Sequence, residues 1–128
     1  MRSGQKFFIC KHCGNMVGVL NHKGAPMVCC GEKMTELVPN TAEASTEKHL
    51  PVVTISDNVV DVQIGSALHP MEDEHYIGFV YVETELGGQR KSISPGGAPK
   101  LSFSVVDDKV LAVYAYCNLH GLWKTDVE

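Results

Sequence analysis

The sequence contains no apolar run approaching the ~20 residues that a membrane-crossing helix needs. Ahead of its first cysteine the apolar residues stop at Phe7-Phe8-Ile9, well short of a secretory-signal core. Positive charge is sparse as well. No basic cluster is longer than Arg90-Lys91, and the formal net charge is -4, which argues against nucleic acid as the main partner. Sustained helical periodicity is missing throughout. These absences lead us to expect no membrane, no nucleic acid and a cytoplasmic location. In such a compartment thiols stay reduced, and clustered cysteines more often hold metal than form disulfides. Disorder is not expected either, because 44% of residues are hydrophobic and only 20% are charged. The 128 residues suit one ordinary domain, or a small one joined to a larger one.

What the chain does have is five cysteines, four of them close to the N-terminus. Cys10-Lys11-His12-Cys13 is followed, after fifteen residues, by the adjacent pair Cys29-Cys30. Two intervening residues let both sulfurs of the first pair point the same way from a tight turn that Gly14 can close. Adjacent ligands at Cys29 and Cys30 constrain the angle at a shared metal, so a distorted tetrahedron is expected. Residues 1–36 fall below the roughly 40 at which a domain usually folds without a staple, and bound metal would supply the missing folding free energy. Two structural disulfides are the competing reading. Spacing alone does not separate iron from zinc, since both accept four thiolates. His12 and His22 are read as solvated loop residues.

The combination of Cys10-x-x-Cys13 with Cys29-Cys30 resembles desulforedoxin, a small iron module with the same arrangement. The resemblance covers about the first 36 residues. It implies an Fe(Cys)4 centre and, because such modules associate in pairs, a homodimer. Residues 37–45, Leu-Val-Pro-Asn-Thr-Ala-Glu-Ala-Ser, are small and polar with a helix-breaking Pro39 and read as a linker.

From residue 46 to 128 the apolar pattern takes a period of two. Val52 to Ile55 and Val59 to Ile64 flank a turn at Ser56-Asp57-Asn58. Tyr76 to Thr84, Leu101 to Val106 and a last strand from Lys109 to Cys117 continue it, with Gly87-Gly88 and Pro95-Gly96-Gly97 as turns. The expected fold is mainly β: a small desulforedoxin-like metal knuckle followed by an immunoglobulin-like antiparallel β-sandwich. Such a sandwich carries its function on the loops at one end.

Four histidines and one cysteine fall in those loops or at strand ends: His49, His69, His75, Cys117 and His120. Any one of the histidines alone would more often be a surface loop residue. Together they make four imidazoles and one thiolate, enough for a plane of nitrogens with an axial sulfur and one open coordination position. Structural zinc prefers four ligands in a tetrahedron, so the five-donor set points to iron as a redox centre.

Glu47-Lys48-His49, the loop from His69-Pro70 to His75, and Cys117-Asn118-Leu119-His120-Gly121-Leu122-Trp123 closely resemble the desulfoferrodoxin family of two-iron superoxide reductases. With the desulforedoxin-like head, the resemblance spans essentially the whole chain. It implies two irons per chain, the second held by His49, His69, His75 and His120 in the equatorial plane and by Cys117 axially. It further implies one-electron reduction of superoxide to hydrogen peroxide without release of dioxygen, and a small electron-donor protein such as rubredoxin. Lys48 is the candidate for steering the anion in an otherwise acidic protein, and the same resemblance implies that Glu47 closes over the oxidised iron to displace product. Two other classes compete: a rubredoxin-like carrier whose irons only pass electrons, and a zinc-stabilised module whose sandwich binds a protein. For Tyr114, Tyr116 and Trp123, core packing is the expected role.

Overall fold

The chain forms twelve β-strands and one single-turn helix among residues 4–127, which the computed structural model describes. No helix among the described residues is long and apolar enough to cross a membrane. The chain divides into two compact units, one covering Gly4–Val38 and the other beginning at Pro39.

In the first unit β1 (Lys6–Ile9) lies between β2 (Met16–Val19) and β5 (Thr35–Glu36), antiparallel to both. Phe7 and Cys10 are its buried side chains. A separate two-residue pair, β3 (Val28–Cys29) and β4 (Glu32–Lys33), is joined by Cys30-Gly31. Both corner residues have positive φ, 54° and 77°, the requirement of a type I′ hairpin turn. The adjacency of Cys29 and Cys30 therefore has a structural cause: one ends a strand and the next forms the first corner of the turn.

The second unit opens with α1 (Thr46–His49), followed by β6 (Pro51–Ser56), β7 (Val59–Ile64), β8 (Ile77–Thr84), β9 (Gly87–Ser92), β10 (Lys100–Ser104), β11 (Val110–Cys117) and β12 (Gly121–Asp126). Within the stretch expected as a linker, Asn40 is tied to β12. Its side chain donates to the Lys124 carbonyl at 3.1 Å and accepts from the Lys124 N–H at 2.8 Å. The strands form two antiparallel sheets, β10-β7-β6 and β12-β11-β8-β9, whose inward rows share one core. Val60, Val62 and Ile64 of β7 and Phe103 of β10 meet Val80 and Val82 of β8 and Val113, Ala115 and Cys117 of β11. Each fully buried aliphatic side chain there contributes about 1.5–3 kcal/mol. The expected sandwich is present, but its fourth strand differs from the constant immunoglobulin type: β9 hairpins onto β8 and stays in that sheet.

Two strands depart from the sequence reading. Gly87-Gly88, read as a turn, begins β9. This edge strand is mostly exposed and carries no apolar alternation, so its sequence gave no strand signal. The strand ending at Cys117, read as the last, is followed by β12, which pairs with it from Ala112↔Asp126 to Cys117↔Gly121. At the open edge between the sheets, side chains of β9 satisfy carbonyls of β10: Gln89 Nε2 donates to Ser104 O at 2.7 Å and Lys91 Nζ to Ser102 O at 2.6 Å. Such cover blunts an edge that would otherwise invite pairing.

One irregularity positions the functional end. Along β11, Tyr116 pairs with Phe79 but Cys117 pairs with Ile77, so Gly78 is an extra residue in β8. This β-bulge brings Ile77 onto the buried side with Val80 and Val82, as bulges beside functional sites commonly re-aim side chains.

Candidate metal centres

The first cluster gathers Cys10, Cys13, Cys29 and Cys30, whose sulfurs all lie within 4.8 Å of one another. The turn after β1 is closed by Gly14, at φ 81°, whose N–H donates to Cys10 O at 2.8 Å. The Asn15 N–H points to Cys13 Sγ at 3.4 Å. Cys13 and Cys29 sulfurs are 3.7 Å apart, close to the roughly 3.8 Å edge of a tetrahedron with metal–sulfur bonds of about 2.3 Å. The thiols are electrostatically unequal. Hydrogen bonding from the Cys13 backbone holds Cys10 down to about 6, whereas interaction with the Cys13 side chain pushes Cys30 up to about 12 and raises Cys29. The two other histidines of this unit have local partners: His12 Nε2 sits 3.0 Å from Glu32 Oε1, and His22 stacks on Phe8.

At the second cluster the donors come from four separate segments. His49 ends α1, His69 and His75 bracket the β7–β8 connection, Cys117 ends β11 and His120 lies in the β11–β12 turn. Residues 113, 115 and 117 continue one inward row of β11, so the Cys117 thiol, 0% exposed, joins the sandwich core. The imidazoles form a closed ring in the order 49, 69, 75, 120. Successive centroids are 4.8, 4.6, 5.2 and 5.0 Å apart with planes 72°, 79°, 74° and 88° to one another. The 49–75 diagonal is 6.5 Å, near the side-to-diagonal ratio of a square.

Backbone contacts orient the ring nitrogens. His49 Nδ1 lies 2.6 Å from Ser45 O, and His69 Nδ1 lies 2.7 Å from Pro70 O. Donation to those carbonyls leaves each Nε2 bare, the form that binds metal. His69 Nε2 and His75 Nε2 are buried without a hydrogen-bond partner among the described residues, an arrangement that costs free energy unless a ligand satisfies them. His49, His69, His75 and Cys117 offer donor atoms mutually within 4.8 Å. His120 lies outside that group but beside it, with Nδ1 3.2 Å from His49 Nε2 and 3.7 Å from Cys117 Sγ. Burial lowers His49 and brings His69 down to about 4, keeping both neutral at pH 7.

Glu47 and Lys48 are exposed on α1 immediately before the buried His49. Their turn is fastened to the segment after β7. Ala67 N donates to Glu47 O at 3.1 Å, Ser66 Oγ to Glu47 O at 3.3 Å and Gly65 N to Leu50 O at 3.0 Å. Gly65, at φ 85°, has no room for a Cβ, which would lie 2.7 Å from Lys48 O. Trp123, buried, stacks on His49, a contact beyond the core packing expected of it. Tyr114 is buried, with its hydroxyl donating to Glu83 at 2.9 Å, and Tyr116 stacks on Phe79.

Two family models match, desulfoferrodoxin over residues 41–126 and the desulfoferrodoxin N-terminal domain over residues 2–37. The chain belongs to the desulfoferrodoxin family. A desulfoferrodoxin of Nitratidesulfovibrio vulgaris is 40% identical over 98% of this chain and 99% of its own length. The solved structure of a superoxide reductase from Treponema pallidum superposes with a TM-score of 0.82 at 36% identity, covering 97% of this chain and all of that one. A one-iron superoxide reductase from Giardia intestinalis matches with a TM-score of 0.54 at 37% identity over 65% of this chain and 99% of its own.

The two desulfoferrodoxin domains imply two iron sites, and both clusters suit the metal: four thiols at tetrahedral spacing, and a soft thiol with imidazoles whose bare nitrogens converge. The sequence reading did not single out Gly65, Asn118 or the stacking role of Trp123. Only the glycine carried a signal, as a break at the end of an alternating run.

Proposed function

We propose that this chain is a superoxide reductase, delivering one electron and two protons to superoxide to give hydrogen peroxide without releasing dioxygen. The observation that carries this reading is the closed ring of four imidazoles beside one fully buried thiol. The names of the relatives and of the superposed structures support it. Ferrous iron bound at the second cluster would supply the electron. His49, His69, His75, His120 and Cys117 would hold it, while Cys10, Cys13, Cys29 and Cys30 would hold the first iron.

Each residue has a physical part. Cys117, held in the core, would donate electron density to the metal, and substrate would approach from the solvent side. His75 and His120 are only half-buried, so solvent reaches that side and can deliver both protons. The exposed Lys48 ammonium attracts the anion in an otherwise acidic protein. The Glu47 carboxylate, one residue away and exposed, would help product leave. Trp123 shields His49 from water.

The domains in this reading are the Fe(Cys)4 module at residues 1–36, a linker at 37–45 and the reductase sandwich at 46–128. A cytoplasmic homodimer fits the reduced thiols and the desulforedoxin-like module, and a small redox protein of the rubredoxin type would reduce it. Metal analysis followed by mixing the reduced protein with superoxide tests the proposal. Two irons per chain and stoichiometric peroxide are expected. Zinc in both sites would refute it, and iron that is reoxidised without peroxide would favour a rubredoxin-like carrier.

A further inference from the structure

Asn118 stands between Cys117 and His120, and all its described polar contacts go to the segment carrying His75. Its backbone N–H donates to Tyr76 O at 3.2 Å. Its side-chain Oδ1 accepts from Tyr76 N–H at 2.8 Å, and its Nδ2 donates to Glu74 O at 2.9 Å. The three bonds grip the chain on both sides of His75. The reason lies in the register. The β8–β11 ladder ends with Cys117 opposite Ile77, while Cys117 also pairs with Gly121 as the backbone turns into β12. Beyond that point the backbone carbonyl of residue 118 no longer serves the ladder, and the side-chain carbonyl takes its place. His75 is closed from its other side by reciprocal backbone bonds with Glu72, at 3.2 and 2.9 Å.

We propose that Asn118 is a positioning residue that fixes His75 relative to Cys117, and so sets the symmetry and retention of the metal in the second cluster. Only a primary amide meets both demands. A carboxylate keeps the acceptor for Tyr76 N–H but loses the donor to Glu74 O and faces that carbonyl with like charge. An isosteric leucine loses both. The inference rests on the reading of this cluster as an iron site.

The test uses the full chain loaded with iron, comparing the native protein with Asn118→Asp and Asn118→Leu. Three quantities are read: loss of ferrous iron to a chelator, the electron paramagnetic resonance signal of the oxidised second centre, and exchange of the Tyr76 amide in the metal-free protein. Outer contacts to a ligating histidine typically carry about 10–100-fold in metal affinity. Iron loss should therefore be roughly tenfold faster in the aspartate variant and up to about a hundredfold faster in the leucine variant, with altered signal symmetry and faster Tyr76 exchange. Absorption from the four-cysteine centre should not change. Native signal symmetry and native iron retention in both variants would overturn the proposal, even if thermal stability fell. If the leucine variant does not fold, the near-isosteric aspartate variant decides by the same criteria. Native protein that takes up no iron at the second cluster would overturn both the proposal and the reading beneath it, which separates the two failures.

Discussion

Trp123 lies nearly flat against His49, ring centroids 4.9 Å apart and planes 24° from parallel, while its Nε1–H donates to His120 O at 3.2 Å. One side chain thus touches two of the proposed ligands, one by stacking and one through its backbone. Trp123→Phe keeps a stacked ring and loses the hydrogen bond, at a cost of about 0.5–1.5 kcal/mol. Trp123→Ala loses both and should cost about 3–5 kcal/mol. Denaturant unfolding measures the difference, and iron retention at the second centre should follow the same order.

Gly65→Ala should act on the same centre from the opposite direction. A Cβ there would collide with Ala67 O and lie 2.7 Å from Lys48 O, and φ of 85° disfavours any side chain. The α1 turn must shift, taking Glu47, Lys48 and His49 with it. We expect destabilisation above about 1 kcal/mol and weaker iron binding at the second centre, with the absorption of the four-cysteine centre intact. Optical titration of the two centres separates them.

Lys48→Ile should slow capture of superoxide about tenfold or somewhat more. Two unit charges about 4 Å apart interact by roughly 1 kcal/mol in water and about 4 kcal/mol at an effective dielectric near 20, and about 1.4 kcal/mol is tenfold in rate. The exposed position of Lys48 favours the lower end. The dependence of the rate on ionic strength should weaken as well. Pulse radiolysis at several salt concentrations is the measurement; an unchanged rate and slope would remove Lys48 from the mechanism.

Cys13→Ser should abolish the four-sulfur absorption while superoxide reduction continues. If activity disappears although iron remains at the second centre, the first iron is an obligatory relay. The uneven thiols add a pH signature. With Cys30 held up to about 12 and Cys29 also raised, metal must displace protons from both at pH 7, so uptake by the first cluster should strengthen steeply with rising pH.

Acid should destabilise the metal-free protein through its buried histidines. The ordinary histidine value is 6.5, and burial brings His69 down to about 4 and lowers His49 too. Between those limits the unfolded chain binds protons that the folded chain does not. Their contribution to stability is therefore full above pH 6.5 and declines as pH falls towards 4. Unfolding of metal-free protein across that window should show the slope, and His69→Gln should flatten it.

The donors were legible in the sequence because their chemistry is unusual: cysteines in pairs, and histidines clustered where alternation breaks. The sandwich was legible from β7 and β8, whose inward rows alternate, and from the continuous apolar run of β11. β9 was not, because an exposed edge strand of Gly-Gly-Gln-Arg-Lys-Ser buries too little to impose a pattern. β12 was hidden for another reason: it begins inside the motif that supplies Cys117 and His120, so its first residues read as part of a ligand turn. The supports of the site, Gly65, Asn118 and Trp123, act through backbone space, amide bonds and stacking, which depend on partners that are distant in the chain.

The extra residue at Gly78 has a consequence best put in terms of parity. A strand sorts its residues into odd and even, and one set faces the core. In β8 the even positions 80 and 82 are buried, yet beyond the bulge it is odd-numbered Ile77 that turns inward. Were Gly78 itself paired with Cys117 in an unbroken ladder, the sheet would be more regular but Ile77 would turn outward. At this position a regular ladder and a buried Ile77 are alternatives, and the chain keeps the defect.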